Sequence, residues 1–361
     1  MLHYQPKVNM RQGSVIGAEA LIRWQHPEQG LLLPDSFLPI LENHTLMIAL
    51  GDWVIETALA QITAWRMAGV MLPVSINIVA MQLDQADFID KLRAALARYP
   101  IVQPGDLELE VLETSALQDI ARISQILRSG QALGIRFSLD DFGTGYSSLT
   151  YLKRLPVEIL KIDQSFVRNM LDDPDDLAIL DGVISLASSF QRQVIAEGVE
   201  TTAHGELLLQ LGCEMGQGYA IARPMPAAQI PGWMTQWQPY ASWAVAIRVD
   251  SNALSSLFAM IGHRAWIRVL YGYLNDEQAS SPPLDIHQCP LGRWLDSQVR
   301  EGKINFSVHT YIMALHDVLH EKAAELIDLK LCGEGALALA RFGEIETLRE
   351  TLLDRLRRYI G

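Results

Sequence analysis

The stretch SLDDFGTGYSSL, residues 138–149, ends an apolar run on two adjacent carboxylates, Asp140 and Asp141, and passes at once into a loop with two glycines and several hydroxyl-bearing residues. Two acids side by side repel unless they stand in water or share a cation. The run that precedes them, IRFSLDDF (135–142), reads as a strand, and similar runs recur upstream and downstream. HYQPKV and VIGAEALIRW come first, joined by a hairpin turn at RQGS, followed by PVSINI (73–78), LELEV (107–111), EILKID (158–163), QVIAEGV (193–199) and GYAIA (218–222). Helical patterns such as LGDWVIETALAQITAWRMAG and IARISQILRSGQALG lie between most of them, with apolar residues recurring at three and four. About eight strands alternating with helices is the pattern of a closed α/β barrel. A doubly wound open sheet would carry a glycine-rich phosphate loop after its first strand, and this chain has none there.

The expected architecture is therefore a TIM-like (β/α)8 barrel over residues 1–238, a linker over 239–250 and a smaller all-α helical bundle over 251–361. Beyond PGWMTQWQPYASW the β-rich runs become scarce, and LSSLFAMIGHRAWIRVLYGYL, HTYIMALHDVLHEKAAELIDLKL and LALARFGEIETLRETLLDRLRRYI read as long helices. NDEQASSPP (275–283) is the clearest loop among them. The formal net charge of −13 argues against a polymeric nucleic-acid ligand and against a basic membrane-surface role. There is no signal peptide and no unbroken apolar run of membrane-spanning length, and three cysteines without a paired pattern fit a reducing cytoplasm. The chain opens directly in a strand-like pattern, which raises the expectation of a longer protein with upstream sensory domains.

In a parallel barrel the C-terminal ends of the strands converge on one mouth. Read in order, those ends carry Glu19, Asn77, Glu110, Asp140 with Asp141, Lys161 with Asp163, Glu197 with Glu200, and Gln217. A single acid at a strand end is more often a solvated loop residue or a helix cap, but one per strand is not a coincidence to expect. Carboxylates and an amide oxygen, without Cys or His, are hard ligands suited to Mg²⁺ or Mn²⁺. Adjacent aspartates can serve two cations, and a metal pair supplies what phosphodiester hydrolysis needs. The loop FGTGYSS suits a segment that rearranges on binding.

EALIRW (19–24), LELEVLET (107–114), DDFGTGYSSL (140–149), KIDQSF (161–166), AEGVE (196–200) and GQGY…RP (216–224) resemble the EAL-domain phosphodiesterases of cyclic di-GMP, over residues 2 to about 235. The resemblance implies a barrel with one antiparallel strand and hydrolysis of cyclic di-GMP to linear pGpG. By motif position it implies Glu19, Asn77, Glu110 and Asp140 as ligands of one metal ion, with Asp141 holding a second beside Asp140. Lys161 and Glu197 would position or deprotonate the attacking water, and Glu197 is alternatively a metal ligand; Glu19 belongs to the same catalytic set. Gln5, Arg23, Glu200, Gln217 and Pro224 would contact substrate, and Glu113 would steady loop 142–149. Leu112 stands where Thr is common in the family. Some relatives have lost catalysis, so a silent cyclic di-GMP receptor and an oligomerisation scaffold are the competing functions.

In the C-terminal region His316 and His320 are four apart, on one helical face, and Cys289 and His263 complete a set of one Cys and three His, which suits tetrahedral Zn²⁺. An i,i+4 His pair alone is more often an ordinary surface or core feature. A zincin would need Glu after the first His, where this chain has Asp317. His263, CPLGRWL and HDVLH resemble the CZB module, a helical zinc-binding domain, over roughly 250–361, with His287 and His309 as spare histidines. That resemblance implies a zinc or redox sensor, since a zinc thiolate is an oxidation target. Both resemblances imply a homodimer.

Overall fold

The computed structural model describes residues 1–41, 44–145 and 149–360. Its contacts divide the chain into two compact units, Met1–Arg168 with Ala178–Arg248, and Asn169–Leu177 with Val249–Gly361.

In the first unit, β1 (Leu2–Asn9) and β2 (Val15–Ile22) form an antiparallel hairpin. The turn closes where Gly13, at φ +72°, donates its N–H to Asn9 O at 2.8 Å. Six further strands follow in parallel order: β3 (Val74–Ile78), β4 (Leu107–Leu112), β5 (Arg136–Phe142), β6 (Ile159–Ile162), β7 (Gln193–Ala196) and β8 (Met215–Gly216). Strand β8 and a last two-residue strand, Met225–Pro226, both pair antiparallel with β1, so the sheet closes on itself with β1, among the described residues, as its one antiparallel member. This is the barrel the alternating pattern predicts.

The strands are covered outside by helices, so their outward residues are apolar and buried. Tyr4 packs edge-on against Trp65 of α1 (Leu46–Met67), 4.8 Å between centroids. Helix α1 is long and apolar enough to cross a membrane, which the sequence reading did not anticipate, yet here it buries Ile55, Leu59, Ile62 and Trp65. Asp119 caps α2 (Ile120–Gln131) by accepting from Arg122 N, and Thr201 caps α3 (Thr202–Leu211) through His204 N.

One expected strand is displaced. GYAIA (218–222) is a turn, with Ile221 and Ala222 both donating to Gly218 O at 3.0 Å, and the eighth strand lies just upstream at Met215–Gly216. Gly218 lies against the backbone of Val199, where a side chain would collide. The stretch 239–250, expected as a linker, contains a helix at Ala241–Val245. Its Trp243 is fully buried and donates its indole N–H to Thr202 O at 2.8 Å.

The second unit is helical: α4 (Ser251–Leu274), α5 (Pro290–Arg300), α6 (Phe306–Leu331), α7 (Gly335–Ala340) and α8 (Gly343–Ile360). Leu270, Leu295, Ile312, Leu319, Leu326 and Leu352 share one apolar core. The pattern read as one helix over LALARFGEIETLRETLLDRLRRYI breaks at Arg341–Phe342, because Phe342 turns into that core beside Tyr271, 4.9 Å between rings.

Candidate functional site

The barrel register places alternate inward residues at matching depth: Gln5 opposite Glu19, Glu19 beside Ser75, Asn77 beside Glu110, and Glu110 beside Ser138. At the mouth the acids converge on one cation. Lys161, 1% exposed, holds its Nζ 2.6 Å from Glu110 Oε2, 2.6 Å from Glu197 Oε1, 3.0 Å from Asp140 Oδ1 and 3.5 Å from Glu19 Oε2. Glu19 is further fixed by Asn77 Nδ2, donating to Oε1 at 2.8 Å, and by Gln217 Nε2, donating to Oε2 at 2.6 Å.

Burial opposes the charge on Lys161, and the carboxylates of Asp140, Glu110, Glu19 and Glu197 outweigh it, so its pKa stands well above the usual lysine value. Burial followed by the field of Glu110 pushes Glu19 up to about 6. Burial also pushes Asp140 up to about 6, with Glu110 and Asp141 adding to it against Lys161, and it raises Glu197 well above the ordinary range. Glu110 alone goes the other way: burial is overcome by Lys161 and Lys7, which hold it down to about 2. The cluster carries more acid than its lysines neutralise, a demand that further cations would meet.

The donor set answers that demand. Oxygen atoms of Asp140, Asp141 and Glu197 lie within 4.8 Å of one another, close enough for one ion, and the acids at the mouth offer only oxygen donors. Asp141 sits at φ 53°, a conformation rare outside glycine, which turns its carboxylate out of strand alternation and back to the mouth beside Asp140. Its pKa is raised by burial and then by Asp163, which places Asp163 of the next strand end at the same spot. Glu113 Oε2 accepts the N–H of Gly143 at 3.0 Å, so it anchors the start of the expected loop; positions 146–148 of that loop lie outside the described residues.

Beside the mouth is a cleft of about 270 Å³ with Glu19 and Glu197 in its wall. It gathers Gln5, Arg23, Glu200, Gln217 and Pro224, the five residues assigned to substrate from sequence. Gln5 is held by donating to Ala222 O at 2.9 Å and accepting from Gln217 Nε2 at 3.0 Å. Arg168, which donates to Glu200 at 2.7 Å, and Tyr219, stacked under Arg223 at 4.1 Å, also line the cleft and were not singled out from sequence. A deeper tier was missed as well: Lys7 Nζ donates to Ser75 Oγ at 2.9 Å and to Glu108 Oε1 at 3.0 Å. The spacings Gln5–x–Lys7 and Glu108–x–Glu110, which put each pair on one strand face, were the signal.

In the helical unit His263 of α4, His316 and His320 of α6, and Cys289 at the start of α5 bring their donor atoms within 4.8 Å of one another, all buried. Both ring nitrogens of His263 and His316, and Nε2 of His320, have no hydrogen-bond partner. His320 Nδ1 meets Leu284 O at 2.9 Å, which leaves Nε2 for a ligand. Three inward imidazoles and a thiol with orphaned donors fit a tetrahedral zinc ion. Burial pushes the histidines down, His316 to about 3, and so favours the neutral ligand form. Burial raises the Cys289 thiol, while the N–H groups of Leu291 and Gly292 at the helix start act in the thiolate's favour. The spare histidines stand apart from this set: His287 Nδ1 and His309 Nε2 meet the two carboxylate oxygens of Asp296 at 2.7 and 3.2 Å.

A closed barrel with an acidic, lysine-centred mouth, accompanied by a helical His₃Cys unit, defines the class. Residues 1–224 match the EAL domain family and 263–327 match the chemoreceptor zinc-binding (CZB) domain; the chain belongs to the EAL family and carries a C-terminal CZB domain. It is 44% identical over 231 residues to the bifunctional diguanylate cyclase/cyclic di-GMP phosphodiesterase MucR of Pseudomonas aeruginosa, covering 64% of this chain and 34% of that protein. It is 38% identical over 238 residues to the cyclic di-GMP phosphodiesterase NbdA of the same organism, covering 66% of this chain and 30% of the relative. The chain thus spans about a third of the length of these curated relatives. A solved structure described as the PaMucR phosphodiesterase, c-di-GMP complex, superposes with a TM-score of 0.62 at 44% identity, covering 64% of this chain and 93% of that one.

Proposed function

We propose that the barrel hydrolyses cyclic di-GMP to linear pGpG with two Mg²⁺ or Mn²⁺ ions, and that zinc or the redox state of the C-terminal domain modulates this output. The observation that carries the reading is the convergence of Glu19, Asn77, Glu110, Asp140, Asp141 and Glu197 around Lys161, at the wall of one cleft. The similarity to relatives named as cyclic di-GMP phosphodiesterases supports the substrate.

In this reading Glu19, Asn77, Glu110 and Asp140 hold one ion and Asp141 the second, shared with Asp140. Bound ions of this kind neutralise phosphoryl oxygens and make water a nucleophile near neutral pH. Lys161 keeps its proton and orients the attacking water, while Glu197, whose Oε1 lies 2.6 Å from Lys161 Nζ, either accepts the proton that water gives up or serves as a ligand of the ion. Gln5, Arg23, Glu200, Gln217 and Pro224 seat the dinucleotide in the cleft. His263, Cys289, His316 and His320 hold zinc in a closed set, which suits structure or sensing rather than catalysis. We place the boundary between the catalytic and zinc-binding domains within 239–250, and read the whole as a cytoplasmic homodimer regulated through its domains.

The test is chromatography of cyclic di-GMP incubated with the full chain and Mg²⁺ in metal-scrubbed buffer. Accumulation of pGpG that vanishes with Glu19→Ala supports the reading. Ligand retained intact by wild type overturns it in favour of a silent receptor, and no dinucleotide affinity in favour of a scaffold.

A further inference from the structure

Beneath the mouth lies a second buried lysine that touches neither the cleft nor solvent. Lys7 projects inward from β1 two residues beyond Gln5, and because β1 runs against its neighbours it lies deeper in the barrel. Its Nζ lies 2.9 Å from Ser75 Oγ, 3.0 Å from Glu108 Oε1 and 3.5 Å from Glu110 Oε1. The other oxygen of Glu110, Oε2, lies 2.6 Å from Lys161. The Glu110 carboxylate is thus gripped by one lysine from below and presented to the mouth on its other edge. With the Lys7 side chain 4% exposed and that of Glu110 fully buried, water cannot take over the lower grip. Glu108 has a second cationic neighbour in Arg136 at 3.9 Å, so neutralising Glu108 alone does not account for Lys7.

We propose that Lys7 is a positioning residue for divalent-metal binding, fixing the Glu110 carboxylate so that Oε2 faces the ion. The inference rests on the reading of Glu110 as a metal ligand. Lys7 acts as an outer-shell partner, and removal of such partners typically weakens metal binding about 10- to 100-fold.

The experiment is a titration of Mn²⁺ into the zinc-loaded full chain freed of Mg²⁺ and Mn²⁺, with free Mn²⁺ read by electron paramagnetic resonance and thermal melting recorded alongside. Lys7→Met keeps the volume and removes the grip, and the expected rise in the Mn²⁺ Kd is about tenfold or more. Glu108→Gln leaves the Lys7–Glu110 contact in place and is expected to stay within about twofold of wild type. Should Lys7→Met fail to fold, Lys7→Gln, whose shorter side chain cannot reach Glu110, is titrated with the same expectation. A Kd within about twofold of wild type in the lysine variant overturns the proposal, whatever the melting temperature does. Wild type that binds no Mn²⁺ sinks the metal-ligand reading itself, an outcome distinct from binding that ignores Lys7.

Discussion

Lys161 is the residue on which the mouth turns, since its ammonium is within 3.5 Å of four carboxylates. Lys161→Met keeps the chain length and removes the donor proposed to orient water, so kcat at saturating Mn²⁺ is expected to fall by about 10²- to 10⁴-fold. Retention of the wild-type rate would reduce the lysine to a structural ion pair. The acids make a second prediction. Glu19 and Asp140, raised to about 6, hold protons where an unfolded chain has lost them, so the metal-free barrel loses stability as pH rises from about 4 through 6. Glu110, held at about 2, acts in the opposite sense and loses its contribution only as pH falls toward 2. Divalent cations displace those protons, so the melting-temperature gain from Mn²⁺ grows between about pH 5 and 7.5, and a gain independent of pH contradicts the assignment. The mouth cluster was legible because its residues fall at successive strand ends. Lys7 and Glu108 were not, because a barrel interior is expected to be filled by apolar layers, and only strand alternation relative to Gln5 and Glu110 reveals them.

At the scale of elements, what sequence pattern recovered and what it missed follow from how local the cause is. The β1–β2 hairpin and the parallel strands are written in periodicity. The turn at 218–222 and the break at Phe342 depend on contacts with Val199 and Tyr271, distant in sequence. The cluster of His263, Cys289, His316 and His320 was legible from residue type and the His316–His320 spacing, but not what lets α5 deliver Cys289. That is Gly292, where a Cβ would collide with Ile286 O. Gly292→Ala is therefore expected to destabilise the helical unit by about 1–3 kcal/mol, read as a lower melting transition and weaker zinc retention against a chelator. An unchanged transition would mean that the loop before α5 yields freely. Trp243→Ala, at a side chain fully buried beside Gly205, is expected to cost the barrel about 3–5 kcal/mol in denaturant unfolding. A cost below about 1 kcal/mol would mean that Trp243 adds little to the barrel's stability.

At the scale of the whole molecule, the barrel and the helical bundle each carry a candidate metal cluster, and the two differ in chemistry. The acids of the barrel mouth offer oxygen donors, the chemistry of hard divalent ions, whereas the bundle's cluster offers three imidazoles and a thiol, the chemistry of zinc. Zinc removal leaves buried, unpartnered ring nitrogens, so a zinc-selective chelator is expected to lower the melting of the helical unit and added zinc to restore it. If zinc also tunes the output, turnover responds to a zinc titration in wild type and not in Cys289→Ala; equal responses sever the two domains functionally. The effect of zinc on output depends on the barrel being a hydrolase. The most direct measurement is mass spectrometry of the product formed from cyclic di-GMP with Mg²⁺ in oxygen-18 water. The account predicts pGpG carrying a single oxygen-18 in its terminal phosphate, formed with the metal present and lost with Glu19→Ala. Cyclic di-GMP recovered intact and unlabelled from a protein that binds it would contradict that claim.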